Sequence, residues 1–275
     1  MAEKSAMGWY YDGTDSKAQQ VADTGATVAW VKAGGDGGVA WIPGAPTGGF
    51  ANHQWDEGYL TPLTSRGVEC RAWYYNRPVP EDQRVVGDTL AVRWSPSICL
   101  NVETEWRVGT PSSPYNTLAQ ANAYAEAWVR TLRQQIGARF PDRYMPTIGF
   151  SSCPSWADFP YEGLAAGCDF AMPQHYWPAN LLNGEDQVTA HYRRAPQTPC
   201  VAVLTACREY DDAGVLDLAR SALLHPVAGL SAWEFGSAAY QADAMKQAYA
   251  LIPQEQPQQA SASPFLRMWR QLFAA

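Results

Sequence analysis

Eight short apolar runs recur along the chain, and their number and order restrict the fold more than any other feature. They are MGWYYD (7–12), TVAWVKA (27–33), VECRAWYY (68–75), SICLNVE (97–103), MPTIGFS (145–151), CDFAMPQ (168–174), CVAVLTA (200–206) and GLSAWEF (229–235). Near-continuous apolar strands alternating with helices imply parallel strands covered on both faces. Helical spacing is clearest over 115–139, where Leu118, Ala121, Ala125, Trp128, Val129, Leu132 and Ile136 fall on one side. Asn116 or Thr117 is placed to cap that helix, and Gly137 to end it. Further helices are expected over 16–24, 81–94, 155–165, 186–195, 211–224 and 238–251, with partial helix at the end of the long 34–66 connection.

The pattern predicts an α/β chain closed into a single (β/α)8 barrel over 1–252, followed by a polar linker and short C-terminal segment over 253–275. A doubly wound open sheet is the competitor. It usually carries a Gly-rich phosphate loop after its first strand, and DGTDSK does not have that form. The tail presents Leu266, Trp269 and Phe273 near one helical face. Packing on the barrel and docking to a protein partner both fit that pattern.

Composition narrows the function. A net charge of −7 without any basic run argues against nucleic acid and against an anionic membrane surface. Hydrophobic residues at 47% with charged residues at 17% suit a large core. No apolar stretch is long enough to span a bilayer, and MAEKSAMGWYYDG lacks the apolar segment of a secretory signal, so a soluble protein made in the cytoplasm is expected, with any release by another route. The six cysteines show no C-x2-C pairing and read chiefly as buried thiols, with disulfides as the alternative. Twelve Trp and fourteen Tyr are an unusual number; most can serve as core, and the remainder could line a groove, where flat rings with a polar edge suit sugar faces.

In such a barrel the site forms at the carboxyl ends of the strands. The run ICLNVETEW (98–106) is the informative one there. If it were strand throughout, Asn101, Glu103 and Glu105 would share a face. Glycosidic cleavage needs an acid for the leaving oxygen and a second group for the cationic sugar. Glu103, expected to be desolvated at a strand end, is the candidate acid, with Asn101 and Asp12 as the other candidate catalytic residues. Candidate substrate contacts are Lys32, Trp73, Tyr75, Glu105, Gln174, Tyr176, Trp233 and Glu234. Asp15, Asp36, Asn76, Ser151, Ser152, His175, Thr205 and Arg208 also close strand runs. His175 as a base lacks a nucleophile elbow such as G-x-S-x-G. No metal or other cofactor is expected.

The strand-by-strand layout resembles glycoside hydrolase barrels that cut amino-sugar polymers. VAWVKAGG and LNVETEW are similar to the second- and fourth-strand segments of family 25 lysozymes, which occur in phages and bacteria. CDFAMPQHYW and GLSAWEFG resemble the sixth- and eighth-strand segments of family 18 chitinase-like barrels, whose eighth strand carries a Trp under the sugar. Both families place an aspartate where this chain has Asn101. The NVE at 101–103 is instead similar to the family 85 endo-acetylglucosaminidases, in which an asparagine assists the substrate's own acetamido group. The resemblance implies a hydrolase of amino-sugar polymers, peptidoglycan foremost, in a phage or prophage setting. Loss of the aspartate equally fits a silent barrel that binds glycan or docks into a larger assembly.

Overall fold

A computed structural model of the protein describes residues 2–8, 11, 13–35, 39–40, 54–111, 113–176, 185–206, 211–235, 237 and 240–253. Eight parallel strands close on themselves: β1 (Glu3–Gly8), β2 (Val28–Gly35), β4 (Glu69–Asn76), β5 (Ser97–Val102), β6 (Thr147–Ser152), β7 (Phe170–His175), β8 (Val201–Thr205) and β9 (Gly229–Trp233). Closure comes from β1, which pairs with β9 through Ser5 opposite Ser231 and with β2 through Ser5 opposite Val28. A two-residue β3 (Val39–Ala40) adds antiparallel to the end of β2. The helices α1 (Asp15–Asp23), α2 (Glu57–Thr64), α3 (Pro80–Val92), α4 (Leu118–Arg139), α5 (Tyr161–Gly167), α6 (Gln187–Arg194), α7 (Asp212–Ala222) and α8 (Ala242–Leu251) alternate with the strands. The chain is a (β/α)8 barrel.

Side-chain alternation divides the core into two layers. Inside the barrel Met7, Val28, Trp30, Trp73, Cys99, Phe170, Met172, Val201 and Val203 form one cluster. Outside it, Ala6, Ala29, Ala72, Ala171, Ala202 and Ala232 face the helices with no exposed surface. These small outward residues let the helical shell approach the sheet closely. Within the barrel, Phe170 stacks at 5.8 Å from Trp30 in the space left by Gly149, where a Cβ would lie 2.1 Å from the Phe170 ring.

The floor is polar. Glu3 accepts from Trp30 Nε1 at 3.1 Å and from Arg71 at 3.0 Å, and Arg71 also reaches Glu69 at 2.9 Å. This explains one correction to the sequence reading. The first strand is Glu3–Gly8 and not 7–12, because the polar inward positions Glu3 and Ser5 disguise it beside the more apolar GWYY. At α4 one expectation holds and one shifts. Thr117 caps α4 by accepting from Gln120 N at 3.2 Å, whereas Gly137 lies inside that helix and does not end it.

Exposed large hydrophobic residues among the described ones are Val92, Tyr144, Met145, Leu224 and Leu251. All lie at or just beyond helix C-termini, on the face that holds the polar floor. No helix among the described residues is long and apolar enough to cross a membrane. Cys70, Cys99, Cys153, Cys168 and Cys200 are free thiols, as the sequence favoured, and Cys207 lies outside the described residues.

Candidate active site

The opposite end of the barrel, where β5, β6 and β7 finish, carries a hydrogen-bonded cluster around Glu103. Strand β5 ends at Val102, and Glu103 is the first residue beyond it, leading into a short 3-10 turn, Thr104–Trp106. The strand therefore does not continue through Glu105 as the alternation argument required. Glu103 is also partly open to solvent, where burial was expected. Its Oε1 accepts from Asn101 Nδ2 at 3.1 Å and from Gln174 Nε2 at 3.1 Å. Gln174 Nε2 also donates to Asn101 Oδ1 at 3.0 Å, and Cys153 Sγ lies 3.4 Å from Gln174 Oε1. Glu103 Oε2 has no hydrogen-bond partner among the described residues.

Inward parity explains why these residues meet. Asn101 follows Cys99 on the inner face of β5, and Gln174 follows Phe170 and Met172 on that of β7. Between them stands β6, whose Ser151 is in register with Asn101. Asn101 and Gln174 are 2% and 6% exposed, so the amides are fixed by their bonds to each other and to Glu103. Burial pushes the Cys153 thiol up to about 12, with the Glu103 charge adding to the effect. At neutral pH it is therefore a thiol that can donate.

Around the cluster lie rings. Trp73 is buried, donates to Gly8 O at 2.9 Å and packs edge-on to Trp233 at 6.0 Å. Tyr176 stacks on Trp233 at 6.2 Å with an interplanar angle of 28°, and both are partly exposed. Lys32 is fully buried with Nζ 5.5 Å from the Trp73 ring centroid. Glu105 is tied to this region because Tyr75 OH donates to its Oε1 at 2.7 Å. The peptide joining Trp233 to Glu234 is cis, and Glu234 is partly exposed at the end of β9.

Other candidates fall elsewhere. Asp12, Asp36 and Arg208 lie outside the described residues. Asp15 opens α1 on the surface, 3.0 Å from Arg66, and Thr14 caps that helix. Asn76 points outward, its backbone carbonyl accepting from Trp106 Nε1 at 2.7 Å. His175 also faces the helical shell. Burial lowers its pKa, partly offset by Asp186, which suits a neutral packed ring and not a base in the site. Ser152 alternates outward while Ser151 faces in, and Thr205 ends the inner face of β8. The sequence reading missed Cys153 as part of the cluster, although it stands two residues past the inward Ser151 and so shares its side of the chain. Among the described residues no group of three or more His, Cys, Asp or Glu is placed to hold a metal ion.

No family model matches the chain, and no curated protein sequence matches it. Solved structures do match. A chitinase from Chromobacterium violaceum is 12% identical with a TM-score of 0.60, covering 91% of this chain and 99% of that one. A mutant family 18 chitinase from Cycas revoluta, solved in complex with (GlcNAc)4, is 9% identical with a TM-score of 0.59, covering 90% and 100%. An α-L-fucosidase isoenzyme from Paenibacillus thiaminolyticus is 12% identical with a TM-score of 0.55, covering 91% of this chain and 49% of its own. The expected likeness to family 25 lysozymes rests on the sequence segments alone. At these identities the comparison establishes a shared architecture: the chain has the barrel fold on which these glycoside hydrolases are built.

Proposed function

We propose that the protein is a glycoside hydrolase acting on amino-sugar polymers, with Glu103 as the acid that protonates the leaving oxygen. One observation carries this reading. Glu103 stands at the carboxyl end of the fourth barrel strand, with one oxygen braced by two amides and the other without a partner among the described residues. That is the arrangement of a carboxyl group held for use in one direction. The partly exposed Tyr176 and Trp233 rings at the same end offer flat apolar faces to a sugar, and the buried Trp73 packs edge-on against Trp233 from below instead of meeting substrate as the sequence suggested. A chitinase of like fold was solved with (GlcNAc)4, which supports an amino-sugar substrate. Peptidoglycan is the polymer we favour, on the likeness of VAWVKAGG and LNVETEW to family 25 segments.

The second group that stabilises the cationic sugar is then the substrate's 2-acetamido oxygen, oriented by Asn101. In the resting site Asn101 Oδ1 accepts from Gln174 Nε2 at 3.0 Å, and an amide oxygen has a second lone pair that can accept from the acetamido N–H without that bond opening. A second reading has its own observation. The groups beside Glu103 are amides and a thiol, which fits a barrel that retains glycan without cutting it.

Mass-spectrometric product analysis separates the two. Wild type and Glu103→Gln are incubated with purified peptidoglycan and with chitin oligosaccharides. Wild-type products that fall by about 10²–10⁴ in the variant support the hydrolase. Retention of glycan by both proteins without product supports the silent binder.

A further inference from the structure

We propose that Gln174 is a positioning residue, one that sets which way the Asn101 amide faces and which oxygen of Glu103 is presented to the glycan. This rests on the reading of Glu103 as the working carboxyl group. The direction of every bond in the cluster follows from chemistry. Oε1 of Glu103 accepts from both amides, and it does so equally when the acid's proton sits on Oε2, so both amides turn their N–H groups to it. The remaining Gln174 hydrogen meets Asn101 Oδ1, and the Gln174 carbonyl is left facing the Cys153 thiol. A reversed Gln174 would set its carbonyl against two acceptors and its amino group against a thiol hydrogen. The chain of donors therefore runs one way, from Cys153 through Gln174 to Asn101 and Glu103, and Asn101 is locked with its own N–H toward Glu103.

Length matters as much as direction. Strands β5 and β7 are separated by β6, a span of about 9–10 Å at ordinary strand spacing. Ser151 occupies the intervening inward position, small enough to be bridged, and its buried hydroxyl has no partner among the described residues. Only a long side chain crosses that gap. Glutamine supplies reach and two hydrogens together. Asparagine has the hydrogens without the reach, methionine the reach without the hydrogens, and glutamate the reach with acceptors in place of donors.

Those three substitutions form the test. With an amino-sugar oligosaccharide as substrate, Gln174→Met and Gln174→Asn are expected to lower kcat by about 10²-fold, the effect of a misplaced catalytic group, with KM changed little. In Gln174→Glu the pH–rate profile is expected to move to higher pH, because two adjacent carboxyl groups hold a shared proton. A rise in KM at unchanged kcat would make Gln174 a plain substrate contact, and an unmoved profile in Gln174→Glu would also overturn the proposal. A second readout needs no turnover. The side-chain amide of Asn101, identified by its loss in Asn101→Ala, is followed in nitrogen-15 spectra of wild type and Gln174→Met. A shifted, faster-exchanging signal supports the lock, and an unchanged one sinks it. Absence of wild-type product would remove the hydrolase reading, and the amide signal would still decide whether Gln174 orients Asn101.

Discussion

Arg71 and His191 show how single residues set the stability of this barrel. Arg71 is buried at the floor between Glu3 and Glu69 and lies over the Trp30 ring at 5.5 Å. Arg71→Met leaves Glu3 buried without its cation and is expected to cost about 3–5 kcal/mol by urea denaturation. The double variant with Glu3→Gln should recover part of that loss. His191 has no exposed surface. Its Nε2 donates to Thr198 O at 2.9 Å, so Nδ1 accepts from Tyr161 OH at 2.8 Å. Burial lowers its pKa from 6.5 to about 4. Between those values the unfolded chain binds more protons than the folded one, so stability falls as pH drops from about 6.5 to 4, by about 3 kcal/mol from this residue. His191→Gln should flatten that part of the pH–stability curve. At this scale the sequence was partly legible. That Asn101 and Gln174 would face one end of the barrel near Glu103 could be read because inward parity at a strand end can be counted. The Cys153 contact was not, because a cysteine beside an apolar run looks the same whether it packs or donates.

Helices α4 and α5 are the elements whose packing is most constrained. At Gly163 an added Cβ would sit 2.1 Å from the backbone oxygen of Asn122, an atom fixed in the neighbouring helix. Gly163→Ala should therefore destabilise by about 1–3 kcal/mol or more, measured as a lowered denaturation midpoint, without altering ligand retention. Thr117→Ala removes the α4 cap and should cost about 1 kcal/mol, whereas Thr117→Ser should cost little. All eight strands were visible in the sequence because parallel strands buried on both faces leave apolar runs. The exception in position was β1, whose polar inward residues serve the floor. Helix ends were less legible. Gly137 reads as a stop, yet α4 continues to Arg139, since glycine only permits a helix to end.

For the whole molecule, closure depends on β1, which joins β9 to β2. Removing residues 1–8 takes away that strand together with Glu3, and loss of cooperative unfolding by circular dichroism is the expected result. Overall architecture followed from the order of the runs. The connections between the runs did not, because periodicity carries no information there. The described chain begins its first strand and finishes its last helix on the same base, the end opposite Glu103. A tether attached at either point would hold the protein by its foot and turn the mouth outward. On a bead, a particle or a neighbouring domain, the barrel would then stand as a fixed tool facing whatever surface it met.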